Sequence, residues 1–154
     1  MILWIKELLI LIKLIFGKTY FPKDIEILKM RYFPFKGYSY MMWCGKIISR
    51  YDSPQISDKS KHHELCHMMQ AIHYKYWVQY YIIYVWEWLK GNPITEPYIS
   101  AYFTNPFEIQ VYANENDVLY DYNIYDLKTK YNLKNRKKLF KENGYFWKKY
   151  IKTL

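Results

Sequence analysis

The sequence predicts an α+β domain in which helices dominate and a small β-sheet lies early in the chain. Two short β-prone runs, Tyr38–Trp43 and Lys46–Arg50, surround Gly45 and predict a hairpin or two strands of a sheet. Long apolar stretches with helical periodicity fill much of the remaining chain, and turn-forming residues separate them. The 154 residues are one domain's worth of chain, and the 51% hydrophobic content argues against disorder.

The first 16 residues are the most apolar stretch and predict an amphipathic helix. Lys6, Glu7 and Lys13 interrupt this stretch, so it lacks the roughly 18 uncharged residues of a spanning helix. No basic segment precedes it and no small-residue cleavage site follows, which disfavours a signal peptide. We expect residues 1–16 to pack on the core, with membrane-surface association as the alternative.

The cysteine content bears on the cellular compartment. Cys44 and Cys66 are the only two cysteines, which are too few for a disulfide scaffold or a zinc ribbon. We therefore expect a cytoplasmic protein, which could also associate with a membrane surface through residues 1–16.

The net charge of +9 is concentrated at the end of the chain. Residues 128–154 carry ten basic side chains and one acidic one, whereas residues 1–127 carry 13 of each. Aromatic residues alternate with the basic ones, a composition typical of a surface that contacts nucleic acid or anionic membrane. A solvated amphipathic helix has the same composition, so both interpretations stay open.

Two helices are predicted in the middle of the chain. Ser57 or Asp58 caps the first, which runs from about residue 59 towards residue 90 with a bend or break midway. Asn105 or Thr104 caps the second, and Pro106 stands at its first position, where a missing N–H costs nothing.

The first of these helices carries the motif His63-Glu64-Leu65-Cys66-His67, an HExxH pattern. Residues four apart on a helix differ by about 40° in azimuth, so both imidazoles can bind one metal ion. Glu64 lies beside the first of them, where its carboxylate can accept a proton from metal-bound water. The pattern therefore predicts a zinc site with Glu64 as the general base.

Two residues are candidates for a third ligand. His73 gives the HExxHxxxxxH spacing of the metzincins, but those enzymes need a sharp turn at Gly where this chain has Gln70. With Gln70 we expect the helix to continue, which leaves His73 about 80° from the direction of His63. Glu108, in the first turn of the second predicted helix, is the other candidate.

The combination of Gly45-Lys-Ile-Ile48, His63-Glu64-x-x-His67-x-x-Gln70 and Asn105-Pro-Phe-Glu108 resembles small zincin-like metallopeptidases of the gluzincin type. The resemblance extends over roughly residues 45–117, about half of the chain. It implies a single zincin-like domain, 1–154, in which His63, His67 and Glu108 bind Zn²⁺ and Glu64 is the base. The Ala-Tyr order usual after the glutamate is reversed here as Tyr112-Ala113.

The function that this resemblance implies is zinc-dependent hydrolysis of a peptide or protein substrate. An extended peptide would pair with the strand Lys46–Arg50. Gln70 or Glu115 would orient a metal-binding side chain by hydrogen bonding, and Glu115 is also an alternative metal ligand. The alternative function is a non-proteolytic zinc protein whose residues 128–154 bind nucleic acid or anionic membrane.

Overall fold

A computed structural model describes residues 2–34, 38–90, 102, 105–132 and 135 of the chain. Within these residues it contains five helices and one three-stranded sheet, which confirms the α+β class. The chain divides into two compact units, residues 1–80 and 81–154. In chain order the elements are α1 (Leu3–Ile15), β1 (Ile27–Met30), β2 (Tyr40–Trp43), β3 (Lys46–Arg50), α2 (Asp58–Ala71), α3 (Trp77–Lys90), α4 (Pro106–Asn114) and α5 (Ile124–Thr129).

The sheet of the first unit has the strand order β1-β3-β2. Strands β2 and β3 form the predicted hairpin, and β1 pairs with β3 in parallel. The hairpin loop is Cys44-Gly45, and both residues have positive φ, 51° and 80°, as a two-residue type I′ turn requires. The φ of Gly45 favours glycine at this position, and a Cβ there would lie 2.9 Å from the half-exposed ring of Tyr20, which would have to shift.

Helix α1 packs on the sheet of the first unit, as its sequence predicts. Leu11 is buried in one cluster with Met30 and Ile48. The buried carboxylate of Glu7 accepts two hydrogen bonds, from the backbone N–H of Arg31 at 2.8 Å and of Tyr32 at 2.9 Å. The charged residue that interrupts the apolar run therefore anchors α1 to the end of β1.

The predicted membrane association through residues 1–16 is wrong. Helix α1 has only 13 residues, and its inner side takes part in the core of the first unit. Of the helices in the described ranges, none is both long enough and apolar enough to cross a bilayer.

The helix predicted from residue 59 towards residue 90, with a bend or break midway, is broken into two helices, α2 and α3. The segment between them pairs with the chain just after α1: Lys18 and Tyr76 form an antiparallel bridge, and Trp77 donates its N–H to the carbonyl of Gly17 at 3.1 Å. The side chain of Gln79 accepts the N–H groups of Lys75 and Tyr76, both at 3.1 Å, and so caps the start of α3. These tertiary contacts, rather than a glycine or proline, break the helix.

The second unit contains α4 and α5. Asn123 caps α5 by accepting the N–H of Asp126 at 3.0 Å. The buried amide of Gln110 donates to the hydroxyl of Tyr120 and to the carbonyl of Asn123, and Tyr120 donates to Asp126 at 2.6 Å. This network joins α4 to α5.

Most of the basic segment 128–154 lies outside the described residues, so its predicted contact with nucleic acid or anionic membrane stays a prediction. Of its aromatic residues, Tyr131 is described: it is buried and packs against Ile109. Tyr131 therefore belongs to the core of the second unit.

Candidate metal centre

The two histidines of the HExxH motif lie on helix α2, as predicted. The side chain of Ser57 accepts the N–H of Ser60 at 3.1 Å and caps the helix one turn before the motif. His63 and His67 are both buried, and their ring centroids are 4.9 Å apart with the ring planes at 82°. The i, i+4 spacing therefore places two imidazoles side by side in a protected position.

Gln70 contacts one member of this pair. Its carboxamide oxygen lies 2.9 Å from Nδ1 of His67, and both side chains are buried. An amide oxygen only accepts hydrogen bonds, so this contact requires the proton of His67 on Nδ1. The neutral imidazole in that tautomer has its lone pair at Nε2, where it could bind a metal ion.

Glu64 is held by the sheet. Its Oε2 accepts the backbone N–H of Met42 at 2.6 Å, and helix α2 packs against strand β2. A hydrogen bond to an ionised carboxylate is charge-assisted, so this contact fixes the orientation of the side chain beside the two histidines.

The strand predicted to pair with a peptide substrate, Lys46–Arg50, is not an edge strand of the sheet. Lys46–Arg50 is the central strand β3 and pairs on both sides, with β1 and with β2. It therefore cannot accept an added peptide strand. Of the three described strands, the edge strand next to Glu64 is β2.

Glu108 lies in the first turn of α4 and is buried. Asn105 caps this helix by accepting the N–H of Phe107 at 3.1 Å, and Pro106 follows it, as predicted. The hydroxyl of Tyr84 donates to Oε1 of Glu108 at 2.6 Å. The helix cap and Tyr84 together fix the position of this carboxylate.

The three residues that the resemblance implies as ligands lie close together. One ligand atom from each of His63, His67 and Glu108 lies within 4.8 Å of the other two. Two imidazoles and one carboxylate are a donor set typical of catalytic zinc, which keeps its fourth position for water. The chemistry and the spacing of these side chains fit a zinc ion.

The competing candidates lie elsewhere. His73 follows the end of α2 and is exposed, and it is not in the group formed by the two motif histidines and Glu108. The expectation that the helix continues past Gln70 is wrong, because α2 ends at Ala71.

Glu115 is buried just beyond the last residue of α4, and it is not in the group of His63, His67 and Glu108. Tyr112 packs on the cluster of Ile109 and Tyr131.

Two further side chains of α2 lie beside the motif histidines in sequence. His62 is half-buried, and its Nε2 lies 3.7 Å from Sγ of Cys66. Cys66 is fully buried, as expected of a small core residue. Neither belongs to the group of candidate ligands in the described chain.

Sequence reasoning missed the tyrosines around Glu108. Burial and the nearby charge of Glu108 raise the pKa of Tyr102 well above its usual value, with further contributions from Tyr112 and Tyr84. Tyr102 therefore stays a neutral phenol. Tyr84 stands in a stretch so rich in aromatic residues that no spacing rule distinguishes it from a core residue.

Comparison of the chain with protein-family models, with curated proteins and with solved structures finds no match. The likeness to gluzincin-type enzymes therefore depends on the motifs alone, and the function is a matter for proposal.

Proposed function

We propose that this protein is a zinc-dependent hydrolase of the metallopeptidase type, with His63, His67 and Glu108 as the metal ligands. The observation that carries the proposal is the mutual distance of 4.8 Å or less between one donor atom of each residue. Zinc bound by such a set acts as a Lewis acid and lowers the pKa of its water to about 7. The three side chains are largely buried, so a metal ion held by them would be shielded from bulk water.

Glu64 is the general base of the proposed reaction. It accepts a proton from the attacking water and then delivers that proton to the leaving amine. Its hydrogen bond from Met42 holds one carboxylate oxygen, so the side chain has a defined orientation before substrate binds. Gln70 supports the reaction indirectly, since it keeps His67 in the tautomer that binds metal.

The proposed substrate is an extended peptide segment. Among the described strands, β2 is the edge strand of the sheet beside Glu64, and an extended peptide can add to a sheet at an edge strand. Pairing with β2 would lay a peptide bond alongside the base. We therefore place substrate binding at β2 instead of at Lys46–Arg50.

Hydrolysis of an unstructured protein by the zinc-loaded chain tests this proposal. Glu64→Gln keeps an oxygen that can accept the N–H of Met42 but removes the base, so we expect bound zinc with a rate at least about 100-fold lower. Glu26→Gln is the matched control, because it neutralises an exposed carboxylate that is neither a proposed ligand nor the proposed base, and we expect it to keep the parent rate. Equal rates for the parent and Glu64→Gln would refute the role of Glu64.

A further inference from the structure

The phenol of Tyr84 is hydrogen-bonded to the carboxylate that we assign as the third zinc ligand. We infer that Tyr84 is a positioning residue for Glu108: its hydroxyl fixes the orientation of the carboxylate and so sets the affinity of the site for zinc. This inference rests on the proposed function, because it assumes that Glu108 binds the metal.

Three contacts connect Tyr84 to the start of α4. Its hydroxyl donates to Oε1 of Glu108 at 2.6 Å, and its carbonyl accepts the side-chain amide of Asn105 at 3.3 Å. Its ring packs against Phe107 with the centroids 5.5 Å apart. Asn105, Phe107 and Glu108 are all buried, so these contacts are shielded from water.

These contacts give each polar or aromatic residue of the Asn105-Pro-Phe-Glu108 segment a distinct task. Asn105 caps the helix with its oxygen and holds Tyr84 with its nitrogen. Phe107 packs against the ring of Tyr84, and Glu108 accepts the hydrogen bond from its hydroxyl. The segment and Tyr84 therefore form one unit that defines where the carboxylate lies.

The chemistry of the hydrogen bond explains why the orientation matters. An O–H donated to a carboxylate at this distance is a strong, charge-assisted bond, and it limits rotation about the last side-chain torsion. Because Oε1 accepts the hydroxyl of Tyr84, the carboxylate of Glu108 would bind a metal ion in one defined orientation. Partners that orient a metal ligand in this way typically contribute about 10- to 100-fold to metal affinity.

The test is the affinity of Tyr84→Phe for Zn²⁺, measured by competition with a chromophoric chelator, with Tyr120→Phe as the matched control. Each variant loses one phenol hydroxyl that donates to a carboxylate, but the hydroxyl of Tyr120 donates to Asp126. We expect about a 10-fold loss of zinc affinity for Tyr84→Phe and no change for the control. The visible spectrum of the Co²⁺-substituted protein should change for Tyr84→Phe alone, which a purely structural role would not cause.

A double-mutant cycle with Glu108→Ala, which removes both the proposed ligand and the acceptor for the phenol, shows whether Tyr84 acts through Glu108. In the Glu108→Ala background, Tyr84→Phe should cause no further loss of zinc affinity. Should Tyr84→Phe not fold, Asn105→Ser repeats the test, because it keeps a capping oxygen but removes the amide that holds Tyr84.

The outcomes separate the two proposals. Normal zinc affinity and an unchanged Co²⁺ spectrum in Tyr84→Phe, with zinc lost in Glu108→Ala, would overturn the role of Tyr84 and leave the metal site intact. A parent protein that binds no zinc would overturn both. An equal loss in Tyr84→Phe and Tyr120→Phe would reduce Tyr84 to a residue of general stability, which contradicts the inference.

Discussion

The backbone N–H of Met42 donates to Oε2 of Glu64 at 2.6 Å, so the edge strand of the sheet holds the proposed catalytic base. The strand that would bind substrate and the side chain that would move the proton are thus joined by one hydrogen bond. A shift of β2 would move Glu64 with it. If a substrate pairs with β2 as proposed, its binding would therefore be coupled to the orientation of Glu64.

This hydrogen bond predicts different stabilities for two variants of Glu64. Glu64→Gln retains an oxygen that can accept the N–H of Met42, so its free energy of unfolding should stay close to that of the parent. Glu64→Ala removes the acceptor and should lower it by about 1–2 kcal/mol. Urea denaturation of the metal-free proteins checks the difference, and identical midpoints for the two variants would show that the bond contributes nothing.

Gln70 should matter for zinc binding more than for folding. Gln70→Leu removes the oxygen that holds the proton on Nδ1 of His67, so zinc affinity should fall by about 10- to 100-fold. Chelator competition measures this loss. Met69→Leu, a conservative change at the neighbouring half-buried position of α2, is the control and should retain parent affinity. Parent affinity in Gln70→Leu would disprove the assigned contact.

Glu7 should be a strong determinant of stability although it lies in an apolar helix. Glu7→Ala leaves the N–H groups of Arg31 and Tyr32 without this acceptor, and we expect the free energy of unfolding to fall by about 2–3 kcal/mol. Lys6→Ala, at the adjacent exposed position, should change it by less than about 0.5 kcal/mol. Chemical denaturation followed by circular dichroism makes the comparison; similar losses for both variants would contradict it.

The hairpin loop should not tolerate a side chain at Gly45. Gly45→Ala combines a φ of +80° with a Cβ that would lie 2.9 Å from Tyr20, so we expect a loss of about 1–3 kcal/mol. Gly17→Ala is the matched control, because its Cβ would have no contact shorter than 3.4 Å. Thermal unfolding of both variants tests this, and equal melting temperatures would be inconsistent with the proposed constraint.

Local signals in the sequence predicted the elements that depend on local chemistry. Ser57 and Asn105 cap their helices, Gly45 lies in a hairpin loop, and the i, i+4 histidines share a helix. Each of these features follows from backbone conformation or helix periodicity within a few residues. The candidate base Glu64 was identified in the same way, from its place in the motif.

Features that depend on distant contacts could not be predicted. The sequence predicted a bend or break midway along the long helix, but nothing in the run around His73 shows that this run will pair with residues 17–19. The sheet order, which makes β2 rather than Lys46–Arg50 the edge strand, is likewise a tertiary property. Tyr84 was missed because its role depends on a hydrogen bond to a residue 24 positions away.

The most direct test is the zinc content of the purified parent, Glu108→Ala and His73→Ala proteins by elemental analysis. The proposed site predicts about one zinc per chain in the parent and in His73→Ala, and much less in Glu108→Ala. Circular dichroism of each protein confirms that it is folded before the metal is counted. Zinc lost in His73→Ala but kept in Glu108→Ala, or absent from the parent after metal reconstitution, would contradict the site.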